Sequence, residues 1–283
     1  MIRTAELLAW IGQRIGKPPG WERVVRLFAP PEKCGAMREI CVARAGFLFV
    51  AQPAVPLGWQ IAFFGTYEPE LREIFRTVLP SGGVAVDVGA NVGWHTVLMA
   101  SLVGEGGRVL AAEANPSVRA RLEDNVRLNR FRHVDVLPYA IADAEGTLEF
   151  FGPDARDPWS GNGYVVTVDS GGRTDTVRVE ARRLDTLLAA ADTKRLDLIK
   201  IDVEGFEWRV LQGAEQSIAR FRPHIVFEYN ADYAARGGGR PDLFDAFFTK
   251  HGYRLFAIER SWAEAVEPGN WPACADIWAV PRS

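Results

Sequence analysis

The chain's 283 residues are 48% hydrophobic and 24% charged, an ordinary globular composition long enough to bury a core without disulfides or a structural metal. Its 33 basic and 36 acidic residues leave a formal net charge of −3, without the basic excess of a dedicated nucleic-acid binder, and it has no run of about eighteen apolar residues to span a membrane. Cys34, Cys41 and Cys274 form neither a CxxC pair nor an even framework; they read as small buried hydrophobes of a reducing compartment.

From the N-terminus, Leu7, Leu8, Trp10, Ile11 and Ile15 recur at helical spacing. Glu6 stands where an export signal would be apolar, so an amphipathic helix of a cytoplasmic protein is expected. Short strands follow, Met37–Ala43 and Gly46–Ala51 about a tight turn, with Trp59–Phe64 as a further apolar run in the same series. Glu68–Leu79 has helical periodicity through Leu71, Ile74, Phe75 and Val78. From Val84 the pattern alternates: strand Val84–Val88, helix Trp94–Val103, strand Arg108–Ala112, helix Pro116–Asn129, strand Val134–Leu137. An interruption at 147–180 looks like added strands around a polar loop, 152–163. Strand Leu196–Ile201, helix Phe206–Arg220, strand His224–Phe227 and helix Pro241–His251 come next, and Arg254–Ile258 and Asp276–Val280 finish the sheet. Short apolar strands between helices predict an α/β fold, a doubly wound, mostly parallel, seven-stranded Rossmann-like sheet. Residues 1–66 form an expected N-terminal helix and strand extension, a candidate substrate lid, and 67–283 the ligand-binding domain.

The most informative segment is Val84-Ala85-Val86-Asp87-Val88-Gly89-Ala90-Asn91-Val92-Gly93-Trp94-His95. An apolar strand ends in an acid and turns through Gly89 and Gly93 into a helix. Ligands of such sheets bind at the carboxyl ends of the strands, and glycine lets the backbone approach them. Asn91 stands where a third glycine is expected, and Asn tolerates the left-handed turn. Asp87 is placed to attract an ammonium group. Glu113 ends the second strand, where an acid can grip both ribose hydroxyls. A ligand with a ribose, an amine and a carboxylate but no phosphate is S-adenosylmethionine.

These residues resemble the FkbM-type methyltransferases of the class I S-adenosylmethionine-dependent superfamily. Asp87-Val88-Gly89-Ala90-Asn91-Val92-Gly93 is similar to the family's first motif, and Glu113-Ala114-Asn115-Pro116 to its acidic motif. Lys200-Ile201-Asp202-Val203-Glu204-Gly205-Phe206-Glu207, with Val210-Leu211-Gln212-Gly213-Ala214, resembles its most distinctive stretch. Arg183-Leu184-Asp185-Thr186-Leu187, Ile225-Val226-Phe227-Glu228 and Gly65-Thr66-Tyr67-Glu68-Pro69 also match. The likeness runs from about Gly65 to Tyr229 and leaves residues 1–60 uncovered. It departs at Tyr139-Ala140-Ile141, where the family often has Asn before the Ala. The resemblance implies that Glu68, Ala114, Asn115, Ala140 and Asp202 join Asp87, Gly89, Asn91, Gly93 and Glu113 around the cofactor. It also implies methylation of hydroxyl groups on sugars, polyketides and other natural products, a small-molecule or glycan acceptor.

Methyl transfer needs an acceptor placed in line with the sulfonium methyl and, for a hydroxyl, a group to take its proton. Candidates are Asp202, Glu204, His95 and Glu228. His95 reads equally as a polar residue packing its helix turn, and Glu204 as a favourable charge at a helix N-terminus. Glu207 reads as a solvated charge. Asp202, Glu228 and Asn230 would make an oxygen-rich magnesium site, but the resemblance does not require metal and this reading is not favoured. Trp94 and Trp159 are expected near the site. Competing readings are a nicotinamide-dependent oxidoreductase, disfavoured by Asn91 and by Asp87 near phosphate charge, and a non-catalytic cofactor-binding or interaction domain.

Overall fold

The computed structural model describes residues 2–34, 38–42, 46–151, 164–165, 176–258 and 263–282. The N-terminal part runs through α1 (Ile2–Ile15), α2 (Trp21–Phe28), a single 3-10 turn (Pro31–Lys33), the hairpin β1 (Arg38–Val42) and β2 (Phe47–Ala51), α3 (Pro56–Phe64) and α4 (Pro69–Val78). Trp59–Phe64, expected among the strands, is therefore helical. Pro56 pre-sets the first helical turn and Gly65, at φ 67°, closes the last. Trp59, Ile61, Ala62, Phe63 and Phe64 are all buried, so hydrophobicity carries no period that separates a buried helix from a buried strand.

Alternation begins with β3 (Val84–Val88), α5 (Trp94–Val103), β4 (Arg108–Ala112), α6 (Pro116–Leu128) and β5 (Val134–Leu137). There follow β6 (Ala140–Ile141), β7 (Gly146–Phe151), β8 (Tyr164–Val165), β9 (Thr176–Arg182), α7 (Leu184–Ala190) and β10 (Leu198–Ile201). The chain finishes with α8 (Glu207–Gly213), α9 (Glu215–Phe221), β11 (His224–Asn230), α10 (Ala231–Arg236), α11 (Pro241–Lys250), β12 (Tyr253–Ile258), β13 (Ala263–Ala265) and β14 (Cys274–Pro281).

The main sheet has the order β13-β12-β14-β11-β10-β3-β4-β5, the seven expected strands plus the short edge strand β13. Pairing is parallel from β11 across to β5, and β14 runs antiparallel between β11 and β12. Alternate residues feed two cores: Ala85, Val109, Leu198 and Val226 face α5 and the N-terminal elements, while Val86, Leu110, Ile199 and Ile225 face the other layer. β3 and β10 are neighbours although the chain winds outward through β4 and β5 between them. This is the topological switch point at which such sheets open a crevice.

The interruption does not extend that sheet. β6-β9-β7-β8 form a separate four-stranded sheet, whose Ala140, Leu148, Val179 and Ala181 pack with Ala114, Val203 and Phe206. The loop 152–163, with Trp159, lies outside the described residues. The single helix expected over Phe206–Arg220 is two, broken at Ala214. The Asp185 carboxylate accepts from the backbone N–H of Gln216 (3.2 Å) and Ser217 (2.8 Å), so a side chain from α7 caps a fresh helix start. Among the described residues no helix is long and apolar enough to cross a membrane. Cys274 is exposed and Cys34 partly so, against the expectation of buried thiols: Cys274 opens the strand β14 beyond either core, and Cys34, at the end of the 3-10 turn, packs only on the edge of the N-terminal core.

Candidate active site

After β3 the chain takes positive φ at Gly89 (73°), Asn91 (50°) and Gly93 (91°). The alternation Gly-Ala-Asn-Val-Gly suits that demand, since glycine and then Asn tolerate the left-handed region best. At Gly89 space decides as well: an added Cβ would lie 1.8 Å from the carbonyl oxygen of Asp202. The turn is thus pressed against the end of β10. Gly93 does not line the cavity described next; a Cβ there would meet Leu122 at 2.4 Å, so this glycine lets α5 pack against α6.

A cavity of about 440 Å³ opens over the carboxyl ends of β3, β4, β10 and β11. Gly89, Asn91, Glu113, Ala114, Asn115 and Ala140 line it on the β3–β4 side. Glu68, His95, Lys200, Asp202, Glu204, Glu228 and Asp276 line it as well, as do Tyr67, Trp94 and Arg121, and Val55, Pro56 and Leu57 of the N-terminal part also reach it. Asp87 does not. It is fully buried beneath the turn, where Thr96 Oγ1 donates to its Oδ2 at 2.6 Å and Lys200 Nζ lies 3.6 Å from Oδ1. The carboxylate expected to face an ammonium ligand is instead spent on the protein.

Glu113 is fixed by its own backbone surroundings. Asn91 N–H donates to Oε2 at 2.9 Å and Asn115 N–H to Oε1 at 2.8 Å, while Asn115 Oδ1 caps α6 by accepting from Ser117 N–H. Burial pushes the Glu113 carboxyl up, and the two backbone donors offset part of that. Trp94 borders the cavity; its indole N–H donates to the Tyr67 carbonyl at 3.1 Å, and its ring meets Phe47 and Phe49 edge-on.

Glu68 takes a left-handed backbone (φ 44°) just before α4, bringing its Oε2 to 2.8 Å from His95 Nε2. Burial alone would raise this carboxyl, but His95 and then Tyr67 hold it below the usual range. His95 is 5% exposed and meets the Phe75 ring edge-on at 5.5 Å.

On the β10–β11 side, carboxylate oxygens of Asp202, Glu204 and Glu228 lie within 4.8 Å of one another, and Asp276 is the cross-strand partner of Glu228. Burial, then the Asp202 charge, pushes Glu204 up to about 6. Burial with Asp202, Glu204, Glu207 and Asp276 takes Glu228 to about 8. Asp276 is raised to about 7 by burial and by Glu68 and Asp202. Glu204 stands at φ 54° in a loop tied from below. Glu207, expected to be solvated, is 2% exposed, and its Oε1 accepts from Val203 and Gly205 N–H, both at 3.1 Å. Asn230 does not join the acids: its Oδ1 accepts from Asp232 and Tyr233 N–H at the start of α10, so Glu204 takes the third place in the oxygen cluster.

Sequence reasoning passed over Asp276 and Lys200. The first arrives from the last strand, far from any motif; the second was signalled by a lysine inside the otherwise apolar strand Leu198-Ile199-Lys200-Ile201.

The chain is 29% identical over 258 residues to the AMB antimetabolite synthetase AmbE of Pseudomonas aeruginosa, covering 76% of this chain and 12% of that protein. It is 28% identical to the 2-O-methyltransferase NoeI of Sinorhizobium fredii, covering 56% of this chain and 68% of that one. The hexuronic acid methyltransferase AglP of Haloferax volcanii is 25% identical, over 52% of this chain and 57% of its own. The chain thus spans a small part of AmbE and little over half of AglP. A family model for the methyltransferase FkbM domain matches residues 87–255. That is more than half of the chain, which belongs to the FkbM methyltransferase family.

Proposed function

We propose that this methyltransferase moves a methyl group from S-adenosylmethionine to a hydroxyl oxygen of a sugar or other small natural product. The observation that carries the cofactor is Glu113, whose two oxygens are held at the cavity edge by backbone N–H groups and keep lone pairs for two ribose hydroxyls. Gly89 and Asn91 offer the backbone approach beside it, Ala114 and Ala140 an apolar slot for the base, and Asp202 a carboxylate for the amino group. When bound, the cofactor supplies a methyl carried on a sulfonium. A pyrophosphate ligand fits worse: the Asn91 and Asn115 N–H groups are already given to Glu113, and the remaining wall is rich in carboxylates. That disfavours the nicotinamide alternative.

On the acceptor side the residues must orient a hydroxyl and take its proton. A carboxylate whose proton affinity lies near neutrality is a better base than an ordinary one. We assign the base to Glu228, with Glu204 beside it to orient the hydroxyl; His95 Nε2 is engaged by Glu68 and holds that wall. The names of NoeI and AglP, a 2-O-methyltransferase and a hexuronic acid methyltransferase, support a sugar hydroxyl, and the net charge of −3 supports a small-molecule or glycan acceptor over nucleic acid. Asp202, Glu204 and Glu228 are close enough to chelate magnesium, yet displacement at a sulfonium needs no Lewis acid. Chelation with EDTA is expected to leave activity intact, and loss restored by magnesium would reverse that assignment.

The deciding experiment has two arms. Calorimetry with S-adenosylmethionine and with NAD tests the cofactor, and NAD binding alone would sink the proposal. Mass spectrometry of a glycan and small-molecule pool incubated with methyl-labelled cofactor then finds the acceptor; labelled carbon on oxygen is the expected product.

A further inference from the structure

Lys200 stands in the middle of β10, a strand buried on both faces, with Asp87 of β3 and Val226 of β11 as its register neighbours. It is 4% exposed, and an ammonium so placed is tolerated only with partners. It has three. Nζ lies 3.4 Å from the Gly89 carbonyl oxygen, 3.2 Å from Asp202 Oδ2 and 3.6 Å from Asp87 Oδ1. Asp87 Oδ1 is buried without a hydrogen-bond partner among the described residues, so this charge is what answers it. The partners belong to different working parts: the turn under the cofactor, the acid assigned to the cofactor's amino group, and the acid that Thr96 of α5 grips from behind. The remaining charges around the ammonium are Glu68 before α4, Glu113 after β4, Glu204 after β10 and Asp276 on β14, with His95 of α5 already paired to Glu68.

We infer that Lys200 is a positioning residue: it ties the Gly89 carbonyl and the Asp202 carboxylate to one ammonium and so fixes the cofactor turn against the end of β10. Without it, two carboxylates and a carbonyl dipole would face one another across Gly89, where the backbone contact with β10 leaves no slack. The turn would be pushed off β10 and Asp202 would swing from its place. This rests on the methyltransferase reading, because the quantity it controls is cofactor affinity.

The test is a double-mutant cycle read by calorimetry with S-adenosylmethionine. Lys200→Met and Asp202→Asn are each expected to weaken binding by about ten- to a hundredfold. Because part of the Lys200 effect passes through Asp202, the combined variant should lose clearly less than the product of the two single losses. Lys200→Met with Glu113→Ala should instead multiply the two losses. A lysine that only supports the fold would multiply with both partners, and that result, or unchanged affinity in Lys200→Met, overturns the inference. Should Lys200→Met not fold, Lys200→Met with Asp87→Asn removes both buried charges and is compared with Asp87→Asn alone. Failure of the unaltered protein to bind S-adenosylmethionine would instead overturn the cofactor reading, and this inference with it.

Discussion

At the scale of single residues, the site depends on two that are held by backbone. Glu113 receives two N–H groups and borders the cavity, so Glu113→Ala should weaken S-adenosylmethionine by ~1–3 kcal/mol, the range for a lost charged hydrogen bond. Calorimetry that finds unchanged affinity would remove the ribose assignment. Gly89 was legible as a glycine the turn requires, but the reason for it was not. The sequence suggested room for a ligand, whereas the Cβ would collide with the Asp202 carbonyl at 1.8 Å. Gly89→Ala should therefore cost ~1–3 kcal/mol of folding stability as well as cofactor affinity. A variant with an unchanged denaturant midpoint would mean that β10 yields more easily than the packing indicates. Asp87 marks the limit of motif reading: its position in the pattern was clear, but its direction, under the turn rather than into the cavity, depends on Thr96 and Lys200.

At the scale of elements, the loop between β10 and α8 carries Glu204 in a left-handed conformation and is fastened by Glu207. Glu207→Ala removes the acceptor of two backbone N–H groups, and each buried donor left unpaired is costly. A loss of ~1–3 kcal/mol is expected, together with faster hydrogen exchange at Val203 and Gly205. Exchange that stays slow would assign the loop's order to Phe206 and the side sheet instead. The sequence could not reveal this role, because a glutamate just before an apolar helical pattern looks the same whether it meets water or a neighbouring turn. The same blindness explains α3: Pro56 and Gly65 punctuated it, but an apolar run buried all round has no period. It also explains the break at Ala214, which is set by Asp185, a residue about thirty positions away.

At the scale of the whole molecule, the carboxylate wall of the cavity makes stability depend on pH. Glu204, Asp276 and Glu228 hold their protons to about 6, 7 and 8, above ordinary values of 4.5, 3.8 and 4.5. The folded chain therefore binds protons that the unfolded chain gives up between about pH 4 and pH 8, and stability falls as pH rises through that window. Tm of the ligand-free protein should drop between pH 5 and pH 8.5. Glu228→Gln should match the unaltered protein at pH 5 and exceed it at pH 8.5. Equal slopes in a fluorimetric melting series would show that Glu228 is not a source. The N-terminal elements share a core with β3, β4 and α5 and bring Val55, Pro56 and Leu57 to the cavity. From this we propose that the N-terminal extension, 1–66, helps to roof the acceptor, although the family resemblance leaves residues 1–60 uncovered.

By itself the sequence determined the strands of the main sheet and the helices from Val84 to Leu128, the doubly wound sheet, the glycine turn and the acids at the carboxyl ends of β3, β4 and β10 and on β11. Periodicity, chain punctuation and short spacings are local properties, and local properties are written in the chain. Only the tertiary structure decided which carboxylates meet. Asp276 joins Glu228 because β14 inserts antiparallel between β11 and β12. Lys200 is neutralised because β10 lies beside β3, and Glu68 reaches His95 because α4 packs on α5. Charge in a buried site is a sum over neighbours distant in sequence, so the proton affinities of that wall are set by packing and not by any motif.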